Sequence, residues 1–202
     1  NRYALGFRTN RVSQIDSGSE RDLIKGDFNN YGFETKVLSK YKIKNIQSNI
    51  VLGLKFYKSS NSSEQGPGSS DFDANFDFDF ENYPNYNNQS QYLYPNLNIA
   101  FFGENLITVN KKLSITPGFR IEHIKTESKG YYKKINLDGA GNVILNNTIE
   151  NNNKRERAFI LLGVGLSYKS IVEFYANISQ NYRSVTFADI SIINPAYTIN
   201  PE

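Results

Sequence analysis

The chain has 202 residues, with 23 Lys and Arg against 20 Asp and Glu, 14 Tyr, 14 Phe, a single His, and no Cys, Met or Trp. The missing Cys rules out disulfide staples and thiolate zinc sites, and one His leaves little for a transition metal. A net charge of +3 without a basic block is no nucleic-acid footprint, and no run of about 18 apolar residues offers a membrane helix, which leaves membrane strands open.

Mean hydropathy is −0.53 although 39% of residues are hydrophobic, so apolar side chains are spread thinly along a pattern. The pattern has period two, as in strands whose faces meet different surroundings. It predicts seven strands. The first, residues 2–11, sets Tyr3, Leu5 and Phe7 against Ala4, Gly6 and Arg8. The second, 30–41, sets Tyr31, Phe33, Thr35 and Val37 against Gly32, Glu34 and Lys36. In the third, 48–57, Ile50, Leu52, Leu54 and Phe56 oppose Val51, Gly53 and Lys55. The fourth, 95–109, places Leu97, Ile99, Phe101 and Ile107 opposite Asn96, Asn98 and Glu104. The fifth, 112–125, places Leu113, Ile115, Phe119 and Ile121 opposite Gly118, Arg120 and Glu122. The sixth, 157–168, has Ile160, Leu162, Val164 and Leu166 facing away from Phe159, Gly163 and Gly165. The seventh, 171–183, has Val172, Phe174 and Ile178 facing away from Glu173, Asn177 and Arg183.

Connections alternate in length. Short turns fall around 42–45, 110–111 and 169–170, whereas 12–29, 58–94 and 126–156 are long. Short turns at one end and long loops at the other are the build of an outer-membrane barrel, and strands of about 9–11 residues suffice to cross. The expected class is therefore all-β: an antiparallel up-and-down transmembrane β-barrel segment of roughly seven strands. Tyr3, Tyr31, Tyr41, Phe56, Tyr57, Tyr94, Tyr168 and Tyr182 sit near strand ends, where an interfacial girdle would place aromatics. Within the long stretches, 71–81 (DFDANFDFDFE) alternates as a strand with an acidic face, and 131–148 reads as a hairpin around Asp138-Gly139-Ala140-Gly141. The alternating acids stand too far apart to wrap one Ca²⁺, and no Gly among them makes a coordinating loop.

Two stretches resemble TonB-dependent receptors of the ferric-citrate, Bacteroidetes-like kind. FFGENLITVNKKLSITPGFRIEHI at 101–124 is similar to that family's strand–turn–strand unit, and EFYANISQNYRSVTFADI at 173–190 is similar to its strand and following loop. Weaker likenesses cover 21–38 and 52–71. The resemblance implies a 22-stranded barrel closed by a plug, residues 1–202 being part of the barrel domain. No plug, TonB box, signal peptide or closing strand is present in the sequence. It implies uptake of a ferric chelate, a siderophore or ferric citrate, in the outer membrane, driven by TonB-ExbB-ExbD through the plug. Other cargo of such receptors (cobalamin, a glycan, a peptide) and a soluble secreted β-rich binding module are the competing expectations.

Polar-phase Arg8, Lys55, Arg120, Glu122, Glu173 and Arg183 are the candidates to line the lumen and meet plug or ligand, Arg because its fork suits carboxylates. Tyr83, Tyr86, Tyr92, Tyr131 and Tyr132 are the loop candidates for ligand contact. Such a wall also needs paired charges merely to meet water. No catalytic residue, metal ligand set or cofactor motif is expected. His123 falls in the apolar phase, and neither Ser90 nor Ser128 is placed beside it by the pattern.

Overall fold

The computed structural model describes residues 2–6, 9–11, 14–15, 20–44, 46–70 and 74–182. Among the described residues ten strands form: β1 Arg2–Gly6, β2 Thr9–Arg11, β3 Gln14–Ile15, β4 Asp22–Ile43, β5 Ile46–Pro67, β6 Ser90–Thr108, β7 Leu113–Leu137, β8 Val143–Glu150, β9 Asn153–Lys169 and β10 Glu173–Ser179. The main sheet runs β1-β4-β5-β6-β7-β9-β10, with β8 also on β7, and β2 and β3 form a separate ribbon. Each strand of that path follows one of the seven expected strands, and the pairing is up-and-down. β10 pairs β9 antiparallel from Glu173 opposite Lys169 to Ser179 opposite Gly163.

The chain divides into two compact units. The first comprises Asn1–Gly32, Tyr57–Leu97 and Lys125–Glu156; the second comprises Phe33–Phe56, Asn98–Ile124 and Arg157–Glu202. In the second unit the apolar phase is laid bare. Phe33, Val37, Leu52, Leu54, Phe101, Ile121, Leu162, Val164, Leu166 and Phe174 are all exposed, Val37 at 66% and Leu162 at 57%. Along β9 exposure alternates residue by residue from Arg157 to Tyr168, the even, apolar positions being the open ones. Soluble monomers rarely expose so continuous an apolar surface. Among the described residues the only buried hydrophobic side chains are Leu23, Tyr86, Ala100 and Ile135, so no sealed apolar core of the sandwich type forms. The expectation of a soluble β-rich module fails on that point. A sheet with one bare apolar face is instead solvated by hydrocarbon, where backbone groups are satisfied by the strand ladder.

The short turns fall where alternation stops. Asn110 closes one by accepting from the backbone N–H of Lys112 and Leu113 on Oδ1 at 2.8 and 2.9 Å. Lys44 takes a φ of 45° in another.

Four expectations need correction. The first strand ends at Gly6, paired with β4 from Arg2 opposite Gly26 to Gly6 opposite Asp22, and Thr9–Arg11 turn to β3 instead. Strand runs on into each of the long connections: β4 and β5 each have 22 residues and β7 has 25, so β4 is roughly 70 Å long at about 3.3 Å per residue. KSSNSSE at 58–64 shows why alternation missed them. This stretch carries no apolar side chain on either face, and even its buried position is a serine, Ser59 at 3% exposed, so no apolar period marks it while ladder hydrogen bonds hold the strand.

The segment 74–89 forms turns, not a strand; 71–73 lie outside the described residues. Its acids and amides capture nearby backbone, a competing pattern that Asn and Asp favour. Asn75 Oδ1 accepts from Asp77 N at 3.0 Å, and Asp79 Oδ1 accepts from Asn82 N at 3.3 Å. Three girdle assignments also fail: Tyr57 falls with Gly53 and Lys55 in the polar phase of β5. Tyr94 stacks on Tyr92 in the polar phase of β6, and Tyr182 packs on Phe159, a polar-phase residue of β9. Tyr31, Tyr41, Phe56 and Tyr168 keep the apolar phase, Tyr41 donating its hydroxyl to Asn105 Oδ1 at 2.8 Å.

The hairpin around Asp138 forms as expected. β7 pairs β8 from Tyr131 opposite Glu150, and the Asp138 carboxylate accepts from Ala140 N, Asn142 N and Asn142 Nδ2 at 2.8–2.9 Å. Those bonds hold the carboxyl below its usual range, the Asn142 side chain first.

Candidate functional site

In the second unit, FFGEN and PGFR lie on neighbouring strands and interlock through glycine. A Cβ at Gly103 would meet Leu52 Cδ2 at 2.7 Å and Phe119 at 2.9 Å, so the glycine makes room for the apolar-phase ring of Phe119. Phe119 also tilts against Phe101, centroids 5.5 Å apart. On the other face Gly118 accommodates the side chain of Glu104, whose Cγ would lie 3.2 Å from an added Cβ. Large side chains opposite glycine are a recurring cross-strand device for pinning register.

Phe102 is the consequence of a tandem Phe-Phe on a period-two strand: one ring must take the polar face. It lies flat over Gly53, where an added Cβ would stand 2.3–2.9 Å from three ring carbons. Two cations then use its negative face. Lys36 Nζ is 5.7 Å and Arg120 Cζ 5.4 Å from the ring centroid, within reach for cation–π attraction worth about 0.5–1 kcal/mol each at exposed sites. Glu34 accepts from Lys36 Nζ at 2.7 Å, and Lys55 and Arg120 act on the Glu34 charge as well. Arg120 Nε is paired with Glu122, which also accepts from Asn98 Nδ2 at 3.4 Å. The Oδ1 atoms of Asn98 and Asn49 are buried without a hydrogen-bond partner among the described residues. Buried acceptors in that state are rare.

Of the six predicted wall residues, the fold thus gathers Lys55, Arg120 and Glu122 on one face. Glu173 stands apart at the β9–β10 turn, accepting from Ser167 Oγ at 3.0 Å. Arg8 and Arg183 lie outside the described residues. Phe102 is the member the sequence reading left unassigned; the signal was the tandem phenylalanine with Gly53 in the matching phase.

The loop tyrosines belong to the first unit. Tyr86 is 2% exposed with its hydroxyl on Asp22, and it fastens the 74–89 segment to β4. Tyr83 helps shape that segment, its N–H donating to Asp79 O at 3.1 Å and its carbonyl accepting from Tyr86 N. Tyr92 covers Gly130, where an added Cβ would come within 2.0 Å of Gln91 O, and stacks on Tyr94 at 5.9 Å. Burial pushes the phenols of Tyr92 and Tyr94 up, so both stay protonated and neither offers a phenolate. Tyr132 neighbours Tyr92, and Tyr131 lines a small cavity with Phe78 and Phe80. Elsewhere in this unit Glu127, with its side chain 10% exposed, lies between Lys125 and Lys129. Hydrogen bonds from the two lysines hold its carboxyl down at about 2. Among the described residues no group of His, Cys, Asp and Glu is arranged to hold a metal, and no helix is long and apolar enough to cross a membrane.

No curated protein and no solved structure matches the chain. The family model described as TonB dependent receptor-like, beta-barrel matches residues 1–202. The bare apolar face and short turns of the second unit, and the long polar strands of the first, accord with that match. The chain belongs to the TonB-dependent receptor β-barrel family, whose members are outer-membrane receptors and transporters coupled to TonB, not enzymes.

Proposed function

We propose that this receptor takes up a ferric chelate, a siderophore or ferric citrate, and that residues 1–202 are part of a larger barrel whose plug and remaining strands lie elsewhere in the polypeptide. One observation carries the cargo assignment: Lys36, Lys55 and Arg120 share the polar-phase face around Phe102. Cations held at a ring are presented to whatever enters the lumen, and they suit an anionic chelate or acidic groups of the plug. The FFGEN–PGFR and Tyr-Ala-Asn-Ile-Ser-Gln-Asn-Tyr-Arg stretches, which resemble ferric-citrate receptors, support the same reading. The unpartnered Oδ1 atoms of Asn49 and Asn98 on that face suit donors from a plug, so Arg120, Glu122 and Lys55 are assigned first to plug contact and then to cargo. Glu173 shares the polar phase and extends the wall, and Arg8 and Arg183, outside the described residues, are assigned to the same role from the sequence pattern alone. The loop tyrosines, Tyr131 foremost, belong to capture at the cell surface. TonB-ExbB-ExbD then draws on the plug to open a path past this wall.

The test is binding of ⁵⁵Fe-citrate and ⁵⁵Fe-siderophores to the full receptor, with growth on each as sole iron source. Micromolar or tighter binding of one chelate, weakened by Arg120→Gln, is the expected result. Absence of such binding with expression indifferent to iron would turn the assignment to cobalamin, glycan or peptide cargo.

A further inference from the structure

The first unit holds a cavity of about 160 Å³, formed where the ends of β5 and β6 meet the 74–89 segment and β7. Its walls include the rings of Phe78, Phe80 and Tyr131, and its polar groups include Glu64, Gln89 and Gln91. The volume is that of about five waters at roughly 30 Å³ each. A site for a whole drug-sized ligand needs about 300–1,000 Å³, so the cavity takes one ring or one group of something larger.

The site is built and held. A Cβ at Gly66 would meet Phe78 and Phe80 at 2.7 Å each, so the glycine lets both rings down onto the strand. Their centroids lie 5.3 Å apart, tilted by 33°. Asp79 N donates to Pro67 O at 2.9 Å, fixing the segment that carries them. Gln91 Nε2 donates to Glu64 Oε1 at 2.8 Å, which orients a carboxylate and an amide side by side. Gln89 is 7% exposed, and its carbonyl accepts from Lys133 N at 2.8 Å.

The chemistry is selective. Ring faces carry negative potential and suit C–H groups; carboxylate and amide groups at the edge suit hydroxyls, which both donate and accept. No Lys or Arg lines the cavity. Lys25, over the Phe78 ring at 4.5 Å, is paired with Asp77. An anionic chelate therefore finds no partner here. We infer that this cavity is a subsite for a single neutral polyhydroxylated ring, a pyranose unit. Several donor and acceptor groups argue for hydroxyls over a bare ammonium, which would use Glu64 and the rings alone.

The inference needs only exposure of this unit at the cell surface, so it stands or falls apart from the ferric cargo. It is tested by saturation-transfer NMR on the full receptor in a detergent without a sugar headgroup. The probes are methyl α-D-glucopyranoside, -galactopyranoside and -mannopyranoside, with tetramethylammonium as comparator. Transfer to the ring protons of at least one pyranoside is expected, with a dissociation constant on the order of 1 mM for so small a ligand. Glu64→Ala and Tyr131→Ala each weaken it at least fivefold; both leave Tyr86 and Gly66, which hold the loop, intact. No transfer to any pyranoside, transfer to tetramethylammonium alone, or transfer unchanged in both variants would overturn the assignment. Iron uptake measured on Glu64→Ala, at a residue the ferric-chelate proposal does not use, reads that proposal separately.

Discussion

Replacing Gly53 by Ala would set a methyl carbon 2.3, 2.6 and 2.9 Å from three ring carbons of Phe102. Ordinary contact begins near 3.4 Å, so the ring must retreat by about 1 Å. Overpacking of this kind costs about 1–3 kcal/mol. Retreat also spoils two cation–π contacts already at 5.4 and 5.7 Å, near the ~6 Å limit and worth about 0.5–1 kcal/mol each. The single variant should therefore lose about 2–5 kcal/mol. Phe102→Ala forfeits the same contacts and part of the ring's burial, roughly 2–3 kcal/mol. The double variant has no ring for the new methyl to strike, so it should lie within about 1 kcal/mol of Phe102→Ala, a coupling of at least ~1 kcal/mol. Urea unfolding of the full receptor in detergent, followed by far-UV circular dichroism, gives all four corners of the cycle. Additive losses would show that Phe102 does not rest on Gly53, and the cluster would have to be rebuilt.

Glu127→Gln tests the ion triad of β7. The folded carboxyl is held at about 2 against an ordinary 4.5, so its contribution is present above pH 4.5 and is lost as pH falls toward 2. Wild type should be the more heat-resistant at neutral pH, with the gap closing between pH 4.5 and 2; a gap independent of pH would refute the pairing. Tyr86→Phe removes the hydroxyl on Asp22 and leaves a half-buried carboxylate with one donor fewer, about 0.5–1.5 kcal/mol. Limited proteolysis within 74–89 should speed up while the strands stay protected; unchanged cleavage would contradict the anchor. Val164→Arg places a charge in the apolar band, a loss of about 2–4 kcal/mol at mid-membrane depth, whereas Gly165→Ser on the polar phase should be tolerated. Equal effects would deny the sheet its two-sidedness.

What the sequence made legible follows from which surroundings imposed a pattern. Strands flanked by hydrocarbon must present Leu, Ile, Val or Phe at every second position, and the run from Arg157 to Tyr168 announces itself. The turn at Asn110 was equally readable, because its side chain replaces the partners the ladder loses there. Beyond the apolar band the same strands continue through residues such as Lys58-Ser59-Ser60-Asn61, where polar side chains on both faces, the buried Ser59 among them, erase the period. The opposite error came in the alternation of 71–81, whose described residues 74–81 form turns because local Asx bonds won over a strand ladder. For the site, charge and phase located Lys55, Arg120 and Glu122, yet only the pairing of strands brings Gly53 beneath Phe102. Tyr86 reads as a loop aromatic in sequence; its burial depends on Asp22, 64 residues away.

The central claim is that one face of this sheet meets lipid and the other does not. Residues 1–202 contain no Cys, so with any Cys elsewhere in the receptor replaced by Ser, single cysteines at positions 160 to 167 carry nitroxide labels without background. Electron paramagnetic resonance of the full receptor in liposomes then reads collision with oxygen, which concentrates in hydrocarbon, against a water-soluble nickel chelate. Labels at 160, 162, 164 and 166 should favour oxygen and those at 161, 163, 165 and 167 should not, a strict period of two. Accessibility without that period, or with nickel preferred at the even positions, would contradict the membrane assignment of this chain.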